Sequence, residues 1–155
     1  MLDSVKLCVT ALSNHFFPFL CSMNKIEHIG IAVQSLEASI PVYEKLLNTP
    51  CYKIEEVASE GVKTAFFKVG ESKIELLEAT NPESPIAKFL EKRGMGMHHI
   101  AFDVTDIDAE IDRLISDGFQ MIHQTPKDGA DGKRIAFLHP KSTESLLVEL
   151  CMDRN

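Results

Sequence analysis

The chain has 155 residues, enough for one domain or for two small repeats that share a core. A net charge of -7 with no basic run excludes a nucleic-acid surface, and no stretch approaches the roughly 18 apolar residues of a membrane span. Four cysteines (Cys8, Cys21, Cys51, Cys151) lack C-x-x-C spacing and read as free thiols in a reducing, cytoplasmic compartment.

Residues 1–22 follow no helical or strand period, and Asp3, Asn14, His15 and Pro18 interrupt the apolar core that a secretory signal needs. We therefore expect 1–23 to be an extension without fixed structure and 24–155 to form a single domain. Residues 25–33 alternate and are β-rich, which predicts a strand. Residues 36–48 carry Leu36, Ile40, Tyr43, Leu46 and Leu47 at helical spacing behind a Ser35 N-cap. Pro41 lies beyond the first turn and predicts a late start or a kink. Strands at 51–58, 62–69 and 73–79 follow, divided by turns near Gly61 and Gly70. This first module, 24–80, reads β-α-β-β-β.

A connector helix at 84–94 has Ser84 as N-cap and Pro85 at its first position, buries Ile86, Phe89 and Leu90, and stops at Gly94. The second module, 96–152, repeats the order of the first. Strand 97–104 leads to a helix at about 106–117, with Thr105 and Asp108 as a capping box and Gly118 as its stop. Strands at 119–124, 134–139 and 145–151 complete it.

The two modules echo each other residue by residue. Glu27-His28-Ile29-Gly30 falls on His98-His99-Ile100-Ala101 at an offset of 71, and Val33, Leu36 and Ile40 fall on Val104, Ile107 and Ile111. Ala65-Phe66-Phe67 falls on Ala136-Phe137-Leu138, and Ile74-Glu75-Leu76 on Val148-Glu149-Leu150 three loop residues later. The expected fold is α+β: two βαβββ modules, each a four-stranded half with helices outside, forming a curved mixed sheet around a central metal-binding cleft.

A module with His on its first strand and Glu on its last can build a metal site when duplicated. A pseudo-twofold axis would bring His28, Glu75, His99 and Glu149 together. Each alone would more often be an ordinary core or surface residue, but two His and two Glu at matching positions are hard to obtain by chance. Imidazole and carboxylate suit zinc, cobalt, nickel, manganese or iron, and four ligands would leave two octahedral positions open for a chelating substrate. Strand alternation puts His28, Gly30 and Ala32 on one face, and likewise His99, Ala101 and Asp103. The small residues Gly30 and Ala101 then leave room for a ligand, while His98 points away. His139 reads as a turn cap before Pro140 and Lys141 as a solvated loop residue; His15 and His123 have no assigned partner.

These residues resemble the vicinal oxygen chelate superfamily, whose members pair βαβββ modules around a divalent metal. Within it, residues 24–152 resemble the methylmalonyl-CoA epimerase family. The resemblance is carried by Ile74-Glu75-Leu76-Leu77-Glu78, the connector Ser84-Pro85-Ile86-Ala87-Lys88-Phe89-Leu90, Gly96-Met97-His98-His99-Ile100-Ala101-Phe102 and Ala136-Phe137-Leu138-His139-Pro140-Lys141-Ser142. It implies metal ligation by His28, Glu75, His99 and Glu149. It also implies epimerisation of methylmalonyl-CoA at C2 through a metal-stabilised enolate, with cobalt as the first choice of ion and manganese, nickel, zinc or magnesium as alternatives. A homodimer acting on a free thioester, without nucleic acid or membrane, is expected.

Two positions depart from the family pattern. Thr64 stands where some members have a catalytic glutamate, so Glu75 and Glu149 become the candidate acid–base pair, each also a ligand. Thr143-Glu144-Ser145 replaces a glycine pair before the last strand. A glyoxalase-type isomerase and a non-catalytic small-molecule-binding protein of the same superfamily are the competing functions.

Overall fold

The computed structural model describes residues 22–154. The expected extension lies almost wholly outside them. Eight strands form one sheet in the order β2-β3-β4-β1-β5-β8-β7-β6. The first module supplies β1 (Met23–Ala32), α1 (Leu36–Leu47), β2 (Lys53–Val57), β3 (Val62–Val69) and β4 (Ser72–Ala79). The connector helix is α2 (Pro85–Arg93). The second module supplies β5 (Gly96–Val104), α3 (Ile107–Ser116), β6 (Lys127–Asp128), β7 (Lys133–Leu138) and β8 (Val148–Asp153).

The halves are not two separate sheets. β1 pairs antiparallel with β5 and fuses them, while β1–β4 and β5–β8 are the parallel pairs of each module. The parallel neighbours require crossovers, which α1 with β2–β3 and α3 with β6–β7 provide. Each half keeps its own apolar cluster under its own helix. Leu36 and Val33 pack with Ala65, Phe67 and Leu76 on one side; Ile107, Ile111 and Leu114 pack with Val104, Leu138 and Leu150 on the other. The α2 residue Ile86 closes a third cluster with Ala32, Val62 and Leu77.

Several local expectations are corrected. Helix α1 runs unbroken through Pro41 behind the Ser35 cap. Pro41 lies on the exposed side, where the Glu37 carbonyl that loses its donor can turn to water. The cap of α3 is Asp106, not Thr105: its carboxylate accepts from Ala109 N at 3.0 Å. Thr105 Oγ1 instead accepts from Asn24 Nδ2 at 3.2 Å, and Asp108 binds Arg134.

The strand expected at 119–124 shrinks to one bridge, Met121 to Leu138. Both Ile122 N and His123 N donate to Phe137 O, and His123 Nδ1 accepts from Phe137 N at 3.2 Å, so an imidazole takes the place of a ladder carbonyl. Pro126 then interrupts the segment, and only Lys127–Asp128 pairs with β7. β8 begins at Val148 because residues 139–145 coil through a 3-10 turn capped by His139, whose Nδ1 accepts from Lys141 N.

Candidate metal centre

Sheet register aligns the site in two rows. In one, Glu75 lies beside Gly30 and Gly30 beside His99; in the other, His28 lies beside Ala101 and Ala101 beside Glu149. Each carboxylate therefore shares a row with the histidine of the other module, with a small residue between. A Cβ at Gly30 would come within 2.2 Å of the His99 ring. The room left by Gly30 is thus filled by the His99 imidazole, which corrects the expectation.

The four donors converge. His28 Nε2 is 2.9 Å from His99 Nε2. Glu75 Oε2 lies 3.2 Å from His28 Nε2 and 3.6 Å from His99 Nε2. Glu149 reaches the same two nitrogens at 3.9 and 3.4 Å. Two donors each about 2.1 Å from one ion stand roughly 3.0 Å apart at a right angle and roughly 3.4 Å apart in a tetrahedron. The observed spacings span those values, and two imidazole nitrogens with two carboxylates suit a divalent transition metal. The set fits the ion. Cys151 also approaches Glu27 and His28, but burial pushes its thiol up, it donates to Phe102 O at 3.4 Å, and Glu27 is engaged elsewhere.

All four residues are buried, at 3–6% exposure, so their charges act strongly on one another. Burial alone would lower His28, but the Glu75, Glu27 and Glu149 carboxylates override it and raise its pKa to about 10. Burial and the neighbouring Glu75 and Glu27 raise Glu149 to about 8, against the pull of His28. His99 falls well below the usual imidazole range, through burial and the proximity of His28 and His98.

Two surrounding side chains were not foreseen in their roles. Glu27 is buried beside His28, with Lys73 at 2.5 Å and Lys133 at 3.3 Å; His28 and Lys73 hold it well below the carboxylate range despite its burial. His98 does not point away: it lines the cavity, and its Nδ1 lies 3.0 Å from His99 Nδ1. The signal for both lay in the repeat, where Glu27 and His98 occupy one equivalent position.

The donors form the floor of a cavity of about 260 Å³. Phe66, Leu77, Ile86, Ile135, Phe137 and Leu147 supply its apolar walls. Lys127 from β6 reaches Glu60 of the first module at 2.6 Å. Asp131, in the turn before β7, receives Tyr52 Oη at 3.1 Å, Lys53 at 3.2 Å and Lys73 at 2.8 Å. Thr64 is buried, and its hydroxyl donates to Glu55 O.

Comparison with known proteins agrees with this geometry. Residues 27–137 match the model of the Glyoxalase/Bleomycin resistance protein/Dioxygenase superfamily. The uncharacterised protein YqjC of Bacillus subtilis is 42% identical over 129 residues, covering 83% of this chain and 92% of that one. An ethylmalonyl-CoA/methylmalonyl-CoA epimerase of Cereibacter sphaeroides is 40% identical over 130 residues, covering 83% and 97%. The structure of a Streptomyces coelicolor methylmalonyl-CoA epimerase variant with 2-nitronate-propionyl-CoA superposes with a TM-score of 0.82 at 36% identity, covering 85% of this chain and 96% of that one. The paired modules, the converging donors and these relatives place the chain in the Glyoxalase/Bleomycin resistance protein/Dioxygenase superfamily, the vicinal oxygen chelate proteins, with methylmalonyl-CoA epimerases among its relatives.

Proposed function

We propose that the chain epimerises methylmalonyl-CoA at C2, with one divalent ion held by His28, Glu75, His99 and Glu149. The observation that carries the reading is the meeting of these four donors, two from each module, at the floor of one apolar-walled cavity. The relatives named as epimerases support the substrate class. Cobalt is the first choice of ion, with manganese, nickel, zinc or magnesium as alternatives.

The chemistry asks for loss of a proton from a carbon between a thioester and a carboxylate, and its return on the other face. The bound ion would supply Lewis acidity toward the thioester oxygen. Glu75 and Glu149 reach the cavity from opposite modules, so one can take the proton while the other returns it. Thr64 and its repeat equivalent Ile135 line the same cavity and offer no acid–base group, so this reading gives the role to the two glutamates. Phe66, Phe137 and Leu77 exclude water that would compete for the proton.

The same reading makes residues 24–155 one domain, acting as a cytoplasmic homodimer on a free thioester. Cys51 and Cys151 are free thiols, and no helix among the described residues is long and apolar enough to cross a membrane. The test is deuterium uptake at C2 of methylmalonyl-CoA in heavy water, using Co(II)-loaded protein before and after chelation. Uptake with inversion that chelator abolishes and added Co(II) restores is the expected result. Absence of uptake by the loaded protein overturns the reading.

A further inference from the structure

The two central strands break regular pairing at equivalent points. Ile26 faces Phe102 and His28 faces Ala101, so Glu27 is an extra residue on β1. Gly30 faces His99 and Ile31 faces Met97, so His98 is an extra residue on β5. A bulge re-aims the side chain it carries. Here both turn to the imidazole that follows them in sequence: Glu27 Oε2 lies 2.5 Å from His28 Nδ1, and His98 Nδ1 lies 3.0 Å from His99 Nδ1. Both contacts fall on the ring nitrogen opposite the donor cluster, where the Nε2 atoms meet at 2.9 Å. A neutral imidazole offers Nε2 to a metal only when Nδ1 carries the proton, so Nδ1 needs an acceptor.

We propose that Glu27 and His98 are paired positioning residues, one per module, that accept the Nδ1 protons of His28 and His99 and so aim both Nε2 lone pairs at one ion. This rests on the metal centre proposed above. The two acceptors are secured differently. Lys73 and Lys133 grip the second oxygen of Glu27, and are themselves held by Asp131 at 2.8 Å and Asp153 at 2.6 Å. The His98 ring is braced by Phe89 from α2 in a T-shaped contact, with centroids 4.9 Å apart and planes at 82°. The duplication has thus kept the task and changed the group: a carboxylate in one half, a neutral imidazole in the other.

The test is Co(II) titration of the metal-free full chain at fixed pH, followed by calorimetry and by the visible spectrum of the bound ion. Glu27→Ala and His98→Ala should each weaken Co(II) binding by about 10–100-fold and alter the spectrum, with the far-ultraviolet circular dichroism of the metal-free protein unchanged. His98→Gln, whose amide oxygen still accepts from Nδ1, should recover most of the affinity. Affinity of either alanine variant within about twofold of wild type overturns the proposal. Glu27→Ala leaves Lys73 and Lys133 buried without their partner; if that variant does not fold, the two His98 variants decide. A wild-type chain that binds no Co(II) overturns the metal centre itself, and the proposal with it.

Discussion

Gly30 and the imidazole of His99 occupy one space: a methyl group on the glycine would stand 2.2 Å from ring Cε1. The contact ties a residue of the first module to a candidate metal donor of the second. The Gly30 backbone lies outside the left-handed region, so alanine there is conformationally permitted. Gly30→Ala should displace His99, weakening Co(II) binding by about 100-fold in a titration. It should destabilise the metal-free fold by about 1–3 kcal/mol in denaturant melts. Unchanged Co(II) affinity would show that His99 does not need its present position to bind.

Metal binding should release protons. At pH 7 the metal-free site retains protons on His28, raised to about 10, and on Glu149, raised to about 8. A bound ion must displace both. Co(II) affinity should therefore rise with pH from 7 toward 10, most steeply below 8. Calorimetry in buffers of different ionisation enthalpy should count more than one proton released at pH 7. A buffer-independent heat would contradict the assignment.

The same shifts act on the stability of the metal-free protein. Both folded-state values lie above the ordinary ones, so the folded chain binds more protons than the unfolded chain. Stability then falls as pH rises, between 4.5 and about 8 for Glu149 and between 6.5 and about 10 for His28. Where the windows overlap, from 6.5 to 8, the slope approaches about 1.4 kcal/mol per pH unit for each group. His99, lowered instead, opposes them only below 6.5. Urea melts of chelated protein between pH 6.5 and 10 should show the loss, and added metal should remove it.

Glu75→Gln separates ligand from base. The amide oxygen can still bind metal but cannot accept a proton as a carboxylate does. We expect Co(II) binding retained within about 10-fold and C2 deuterium exchange lowered by 100-fold or more. Full exchange with metal retained would remove Glu75 from the acid–base pair.

The turn before β8 carries a cost that substitution can relieve. Glu144 and Ser145 have φ of 51° and 71°, a left-handed pair where glycine would be at ease. Ser145 N still donates to Pro140 O at 2.8 Å, so the turn keeps its shape without glycine. Each residue in that conformation costs about 1–2 kcal/mol. Glu144→Gly and Ser145→Gly should each raise the melting temperature by roughly 2–4 °C. A fall on scanning calorimetry would contradict this account.

The four donors were legible because duplication wrote each of them twice: His28 with His99, Glu75 with Glu149. The helices were legible where a cap and a stop bracket an apolar stripe, as with Ser84, Ile86 and Gly94. The curved mixed sheet was legible as an architecture, but its β1–β5 seam was not, because that pairing joins segments far apart in sequence, and alternation within each strand does not say which strand lies beside it. The bulges at Glu27 and His98 were hidden for the same reason. An extra residue exists only relative to a partner strand, so simple alternation turned His98 to the wrong side. The strand expected at 119–124 was misread because His123 satisfies the Phe137 amide with its ring, which no strand period records.

Because β1 and β5 form the seam of the sheet, an ion held by the four proposed donors would be bonded to both halves at once. Each half, cut free, would keep one imidazole and one carboxylate, too few to retain metal firmly. The ion would then work as a rivet as well as a reagent, and stripping it should loosen the join between the two copies in the same event that silences the chemistry.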